Sequence, residues 1–288
     1  PKIATHAQRS TPMKEETNAK GRDSKTAHPT KNSNTEIQNT ENQFESIQDA
    51  PAPKTGFQKF FHNLTRPSYA PTQKAQDALK SASKITPQYI LFTPPNPSPP
   101  QHGLVFFGGA KVQEEAYAPI AQALAQRGIA VAIVRSPFDA PLLLPFSTRR
   151  VDASVEALQK TNPHIKLHLG GHSAGGYFAS RWSDEQFKSI ILLNAYSPEE
   201  TSNREKPGMA IFGGQDPLIK PEKIEITREA FSNPQFQMIH IPDLNHAYGG
   251  DLWGVQEGDG QSETSTDELI RKVVDLIHNN LEQTPSKE

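Results

Sequence analysis

From residue 75 to residue 281 short apolar runs alternate with segments of helical periodicity, and this alternation limits the fold more than any other feature. The runs Tyr89–Phe92, Leu104–Phe107, Ile129–Val134, Ile165–Leu169, Ser189–Leu193, Met209–Phe212 and Phe236–Ile241 read as strands. Ile129–Val134 is apolar throughout, as a strand buried on both faces must be. Between the runs lie helical segments at Ala75–Lys84, Glu114–Gln126, Val151–Gln159, Ala174–Trp182, Pro221–Phe231 and Thr266–Leu281. In the last of these, Leu269, Val273, Leu276 and Ile277 share one face. Pro119 is tolerated only in a first turn, which puts the start of that helix near Tyr117, and Gly128 stands at its stop. Such alternation predicts an α/β domain: a mostly parallel central sheet with helices on both faces. The domain is expected over 75–283, with a flexible end at 284–288.

What precedes it is different. Residues 1–55 are rich in Lys, Asn, Thr, Glu, Gln and Ser, with Phe44 as their only aromatic. A segment of this kind cannot bury enough apolar surface to offset its ordering entropy, so a disordered polar tail is expected. Residues 56–74 read as a linker. Within it Phe57, Phe60, Phe61 and Leu64 fall on one helical face. This segment reads as packing on the folded body, or as a peripheral membrane or protein contact through residues 57–66 with Lys54, Lys59 and Arg66 nearby. Asn63-Leu64-Thr65 also matches a short glycosylation acceptor.

Charge separates the same two regions. Residues 1–85 hold 13 Lys/Arg and 8 Asp/Glu, whereas the rest holds 17 and 24. The net charge of -2 gives no reason to expect a nucleic-acid partner. The chain has no cysteine, which excludes disulfides, thiolate metal sites and a cysteine nucleophile. No apolar run reaches the ~18 residues of a membrane-spanning helix. The chain opens on Pro1 rather than Met, so a cytoplasmic location and export after processing both fit.

The chemistry centres on Gly171-His172-Ser173-Ala174-Gly175. The five residues follow one expected strand directly and open the next expected helix, the setting of a nucleophile elbow. A serine there stands on a sharp turn with its hydroxyl exposed. Gly171 and Gly175 leave room for the crossing strand and helix. The amide of Ala174 points to where an oxyanion would form. Serine needs a base and an orienting acid, which follow it in chain order in this architecture. Asp216, after the strand Met209–Phe212, is the expected acid, with Asp243 as the alternative. Asp251 and Asp259 lie beyond the histidine and break the order. His246, after the strand Phe236–Ile241, is the expected base. The second oxyanion donor is expected at Gly109 or Ala110, on the loop after Leu104–Phe107.

The expected pocket is lined by His172, by Phe138, Leu142 and Leu143 of an apolar loop, and by Tyr248 and Trp253 after the histidine. Ala195–Gly208 is too short for a large cap domain, so an open site is expected. No metal or cofactor is called for.

Three stretches carry a likeness to a known superfamily. They are V-F-F-G-G-A-K-V-Q-E-E-A-Y-A-P from Val105, G-G-H-S-A-G-G from Gly170, and D-L-N-H-A-Y-G-G-D-L-W-G-V-Q-E-G-D-G from Asp243. Together they resemble the oxyanion loop, elbow and histidine loop of the α/β-hydrolase superfamily. The likeness is to its small bacterial, esterase-like branch related to dienelactone hydrolase. That branch often has glycine where Asp243 or Leu244 stands here. Dienelactone hydrolases use a cysteine nucleophile, so their activity is not implied. The resemblance implies cleavage of a small-molecule ester or related acyl bond by Ser173, His246 and Asp216 through an acyl-enzyme. Two other functions fit the same residues: acyl transfer to an alcohol or thiol, and a catalytically silent fold used for binding.

Overall fold

The computed structural model describes residues 68–141, 143, 148–182, 184–256 and 258–284. The expected tail, most of the linker with segment 57–66, Leu142 and the end 285–288 lie outside them. Among the described residues a sheet forms from β1 (Lys84–Ile85), β2 (Tyr89–Phe92), β3 (His102–Phe107), β4 (Ile129–Val134), β5 (Lys166–His172), β6 (Phe187–Leu193), β7 (Gly208–Gly213) and β8 (Phe236–Ile241). The order is β1-β2-β4-β3-β5-β6-β7-β8. β3 to β8 pair in parallel with their neighbours, whereas β2 runs antiparallel to β4 and β1 antiparallel to β2. This is the α/β-hydrolase fold.

The period of two along each strand sends alternate side chains to opposite cores. Ile129, Val131 and Ile133 of β4 join Leu104 and Phe106 of β3 in one core. That core is covered by α1 (Gln73–Leu79), α2 (Ala118–Gln126) and α6 (Thr266–Glu282). Ala130, Ala132 and Val134 face the other core, with Val105, Phe107 and Leu169, under α3 (Arg149–Thr161) and α4 (Ala174–Arg181). The remaining helix, α5 (Pro221–Ala230), packs Ala230 into this second core. Pro119 sits in the first turn of α2, preceded by a 3-10 turn at Glu114–Tyr117, and Gly128 ends it with φ of 89°. The expected helix over Ala75–Lys84 stops at Leu79, and Lys84 instead opens the short edge strand β1.

At the sheet end opposite the elbow, β3, β5 and β6 are joined by a polar chain. His102 Nδ1 lies 2.9 Å from His168 Nε2, and His168 Nδ1 lies 2.7 Å from Ser189 Oγ. Burial holds His168 well below the ordinary histidine value, aided by His102 and Lys166. Burial also lowers His172, next to His246. Both are therefore neutral when folded and free to protonate when unfolded. Their contribution is intact above about pH 6.5 and falls as pH drops below it, by roughly 1 kcal/mol per pH unit for each. The urea midpoint is expected to fall between pH 7 and pH 5.5, and the fall should be shallower in His168→Asn. An equal slope in that variant would refute the assignment.

Candidate active site

The turn between β5 and α4 places Ser173 with φ 53° and ψ -125°, a strained conformation for an L-residue. Two hydrogen bonds hold it there. The Ser173 amide donates to the Leu193 carbonyl at 3.0 Å, and the Tyr177 amide donates to the Ser173 carbonyl at 3.1 Å. The neighbouring glycines are required by close backbone approach. A side-chain carbon on Gly175 would lie 2.3 Å from the carbonyl oxygens of Phe107 and Gly108, and one on Gly171 would lie 2.5 Å from Gly175 C. Both distances are well inside van der Waals contact with backbone that cannot swing aside. So β3, β5 and α4 meet tightly, and Ser173 is left half-buried with its side chain at a cavity.

That cavity measures about 490 Å³ and is lined by Gly109, Ala110, Ser173, Ala174 and His246 on one side. Tyr177, Tyr196, Leu218, Ile219 and Gln256 complete it. A larger groove of about 970 Å³ runs between α1, α2 and α6, past Lys74, Gln122, Arg127 and Arg271, and contains none of these residues.

His246 and Asp216 come from the loops after β8 and β7. His246 Nδ1 lies 2.7 Å from Asp216 Oδ2, and both side chains are buried. Asp216 Oδ1 also accepts the Leu218 amide at 2.9 Å. With its Nδ1 on the carboxylate, the His246 ring is left with Nε2 as its other nitrogen, and the ring borders the same cavity as Ser173.

Three further side chains hold this corner together. Asp259 accepts the backbone amides of His246 at 2.8 Å and Ala247 at 2.9 Å. Burial raises its pKa despite those two bonds. Asn194, at the end of β6, donates to the Asn245 carbonyl and accepts the Gly213 amide, both at 2.9 Å. It thereby ties the end of β7 to the histidine loop. Asn245 in turn donates to the Gly260 carbonyl and accepts the Gly249 amide. The alternative acid, Asp243, is engaged elsewhere. Its carboxylate accepts from Ser262, Glu263 and Thr264, and these bonds lower its pKa to about 2.

The loop after β3 carries both expected second donors, but their amides are not equivalent. The Gly109 amide donates to the Tyr117 hydroxyl at 2.7 Å. Among the described residues the amides of Ala110 and Ala174 have no acceptor. Of the two candidates on this loop, only Ala110 thus keeps a free donor beside Ser173.

The expected pocket wall needs correction. His172, Tyr248 and Trp253 are buried and absent from the cavity lining. They pack as a cluster behind it, His172 against Tyr248 at 5.8 Å and against Trp253 at 5.4 Å between ring centroids. Tyr248 has φ of 53°, which accompanies its inward turn. Burial and the nearby Asp216 charge raise its pKa. Phe138 points to solvent at 74% exposure, and neither it nor Leu143 borders the cavity. Leu142 lies outside the described residues. The wall comes instead from Tyr177, Tyr196, Leu218, Ile219 and Gln256. Tyr177 lies one helical turn after Ser173, and Leu218 and Ile219 follow Asp216 two and three residues on. The sequence signal for Tyr177 is its helical spacing, four residues after the serine.

Comparison with known proteins places this arrangement in a wider setting. No curated protein sequence matches the chain. Among solved structures, a butyrate-bound thermophilic esterase from Thermogutta terrifontis aligns over 73% of this chain and 95% of its own, at 13% identity and a TM-score of 0.50. A ferulic acid esterase from Streptomyces cinnamoneus aligns over 67% of this chain and 71% of its own, at 17% identity and a TM-score of 0.50. At such identities the likeness is one of fold. The profile of the alpha/beta hydrolase family matches residues 103–271, a span running from β3 into α6 and containing the elbow, Asp216 and His246. On that match and the fold described above, the chain belongs to the alpha/beta hydrolase family.

Proposed function

We propose that the protein is a serine hydrolase that cleaves carboxylic esters through an acyl-enzyme. The observation that carries this reading is the buried Asp216–His246 pair, 2.7 Å apart, opening on the same cavity as Ser173 on its strained turn. Ser173 Oγ attacks the ester carbonyl carbon while His246 Nε2 takes its proton. The carbonyl oxygen becomes an oxyanion and is held by the amides of Ala110 and Ala174. The C–O bond to the alcohol then breaks, and His246 returns the proton to the leaving oxygen. Water repeats the sequence: His246 takes its proton, the hydroxide adds to the acyl carbon, and Ser173 leaves as the protonated alcohol. Asp216 keeps the Nδ1 proton in place and stabilises the imidazolium formed in each half. No step calls for a metal or cofactor.

The partner is a small-molecule ester, since a cavity of about 490 Å³ falls within the usual range for small ligands. Two structural neighbours are themselves esterases, which agrees with the reading without carrying it. A silent binding fold would have no use for a buried Asp–His pair whose histidine shares a cavity with a strained serine. The test is turnover of p-nitrophenyl esters from acetate to octanoate, followed by release of both alcohol and acid. Hydrolysis of at least one chain length is expected. A folded protein that turns over none of them contradicts the proposal.

A further inference from the structure

Behind the cavity a chain of hydrogen bonds joins the oxyanion loop to the histidine loop. The Gly109 amide lies 2.7 Å from Tyr117 Oη, Tyr117 Oη lies 3.0 Å from His172 Nδ1, and His172 Nε2 lies 3.0 Å from the His246 carbonyl. Its ends and a neutral His172, the state its burial favours, fix its direction. A backbone amide only donates and a carbonyl only accepts. The Tyr117 hydroxyl therefore accepts from Gly109 and donates to His172 Nδ1, and His172 Nε2–H donates to His246. With His172 neutral, each member has one role. Tyr117 and His172 are both shut off from solvent, so no water can stand in for a lost partner. Trp253 packs on both rings, at 5.2 Å from Tyr117 and 5.4 Å from His172. A side-chain carbon on Gly109 would lie 3.0 Å from the Tyr117 hydroxyl, so little space separates loop and strap.

The placement matters more than the bonds themselves. His172 immediately precedes Ser173, and Gly109 immediately precedes Ala110. By taking up the Gly109 amide, Tyr117 turns that donor away from the cavity and leaves the Ala110 amide beside Ser173. The same strap reaches the main chain of the residue whose ring is the proposed base. Three loops from distant parts of the chain are thus set against one another by two side chains that never touch the cavity. We infer that Tyr117 and His172 are positioning residues, which set the second oxyanion donor and the His246 loop relative to Ser173. This rests on the serine-hydrolase reading above. An oxyanion donor must meet the oxygen of the tetrahedral state, so a loop set wrongly by a fraction of an ångström costs rate more than substrate binding.

The test compares wild type with Tyr117→Phe, which removes one oxygen, and with His172→Gln, which keeps a donor for the His246 carbonyl but severs the link to Tyr117. Active sites are first counted by titration with a fluorophosphonate. Then kcat per titrated site, KM for a p-nitrophenyl ester and the affinity of a trifluoromethyl ketone are measured. Tyr117→Phe is expected to lower kcat per site by about 10- to 100-fold, with KM within about threefold. The ketone, which forms a tetrahedral adduct with serine, should weaken by the same factor as kcat/KM. His172→Gln should move the same quantities in the same direction, which keeps the test open if Tyr117→Phe does not fold. Variants with a lower thermal midpoint and fewer titratable sites, but unchanged kcat per site and ketone affinity, would show a structural role only and overturn the inference. A wild type that titrates no serine would instead overturn the hydrolase reading on which it rests.

Discussion

Replacing Asp216 by asparagine is expected to lower kcat by about 10⁴-fold while leaving KM little changed, the size of loss that a wrong histidine tautomer produces. The surroundings decide why the substitution cannot be absorbed. Asp216 uses both oxygens: Oδ2 faces His246 Nδ1, and Oδ1 accepts the Leu218 amide. An asparagine must keep its carbonyl toward Leu218, because the reverse orientation sets NH₂ against N–H. Its NH₂ then faces His246 and forces the ring proton onto Nε2. In that state the ring cannot take the proton of Ser173. The check is kcat for a p-nitrophenyl ester, alongside a thermal midpoint to show that the variant folds. A loss under about tenfold would mean that another carboxylate orients His246. Asp259 would be the first to examine, since it already binds the backbone of that loop.

The architecture was legible because its signals are local. Strands β4 and β8 begin and end where their apolar runs do, and the elbow sits between a strand and a helix as its glycines require. β1 escaped notice because two exposed residues, Lys84 and Ile85, carry no hydrophobic pattern; their pairing with β2 is what makes them a strand. The antiparallel edge had no signature of its own, since β2 is buried along its whole length like a central strand.

The site was legible in part, and for a related reason. Ser173, Asp216 and His246 stand at strand ends; Asp216 and His246 pair, and His246 lines the same cavity as Ser173. Tyr248 and Trp253 are neighbours of His246 in sequence but do not line its cavity. Left-handed backbone at Tyr248 and Gly249 accompanies the turn of that segment into the core, where Tyr248 and Trp253 back the site instead of lining it. Gly109 and Ala110 could not be separated from sequence either, because what separates them is a hydroxyl on Tyr117, eight residues away across a turn. Asp259 comes after the histidine and so breaks the chain order expected of the acid. In the structure it binds that loop through main-chain amides, a role that chain order says nothing about.

The central claim is that Ser173 is an activated nucleophile, and its removal should have the largest effect of all. Alanine at this position keeps a Cβ and the strained turn, so the fold and the Asp216–His246 pair are expected to survive. Only the oxygen that would attack is lost. The most direct measurement is stoichiometric labelling by a fluorophosphonate, which needs an activated serine and no knowledge of the natural ester. Wild type is expected to take up one equivalent on the peptide containing Ser173, and Ser173→Ala is expected to fall to background. A folded wild type that does not react, or a Ser173→Ala variant that labels as well as wild type, would contradict the account.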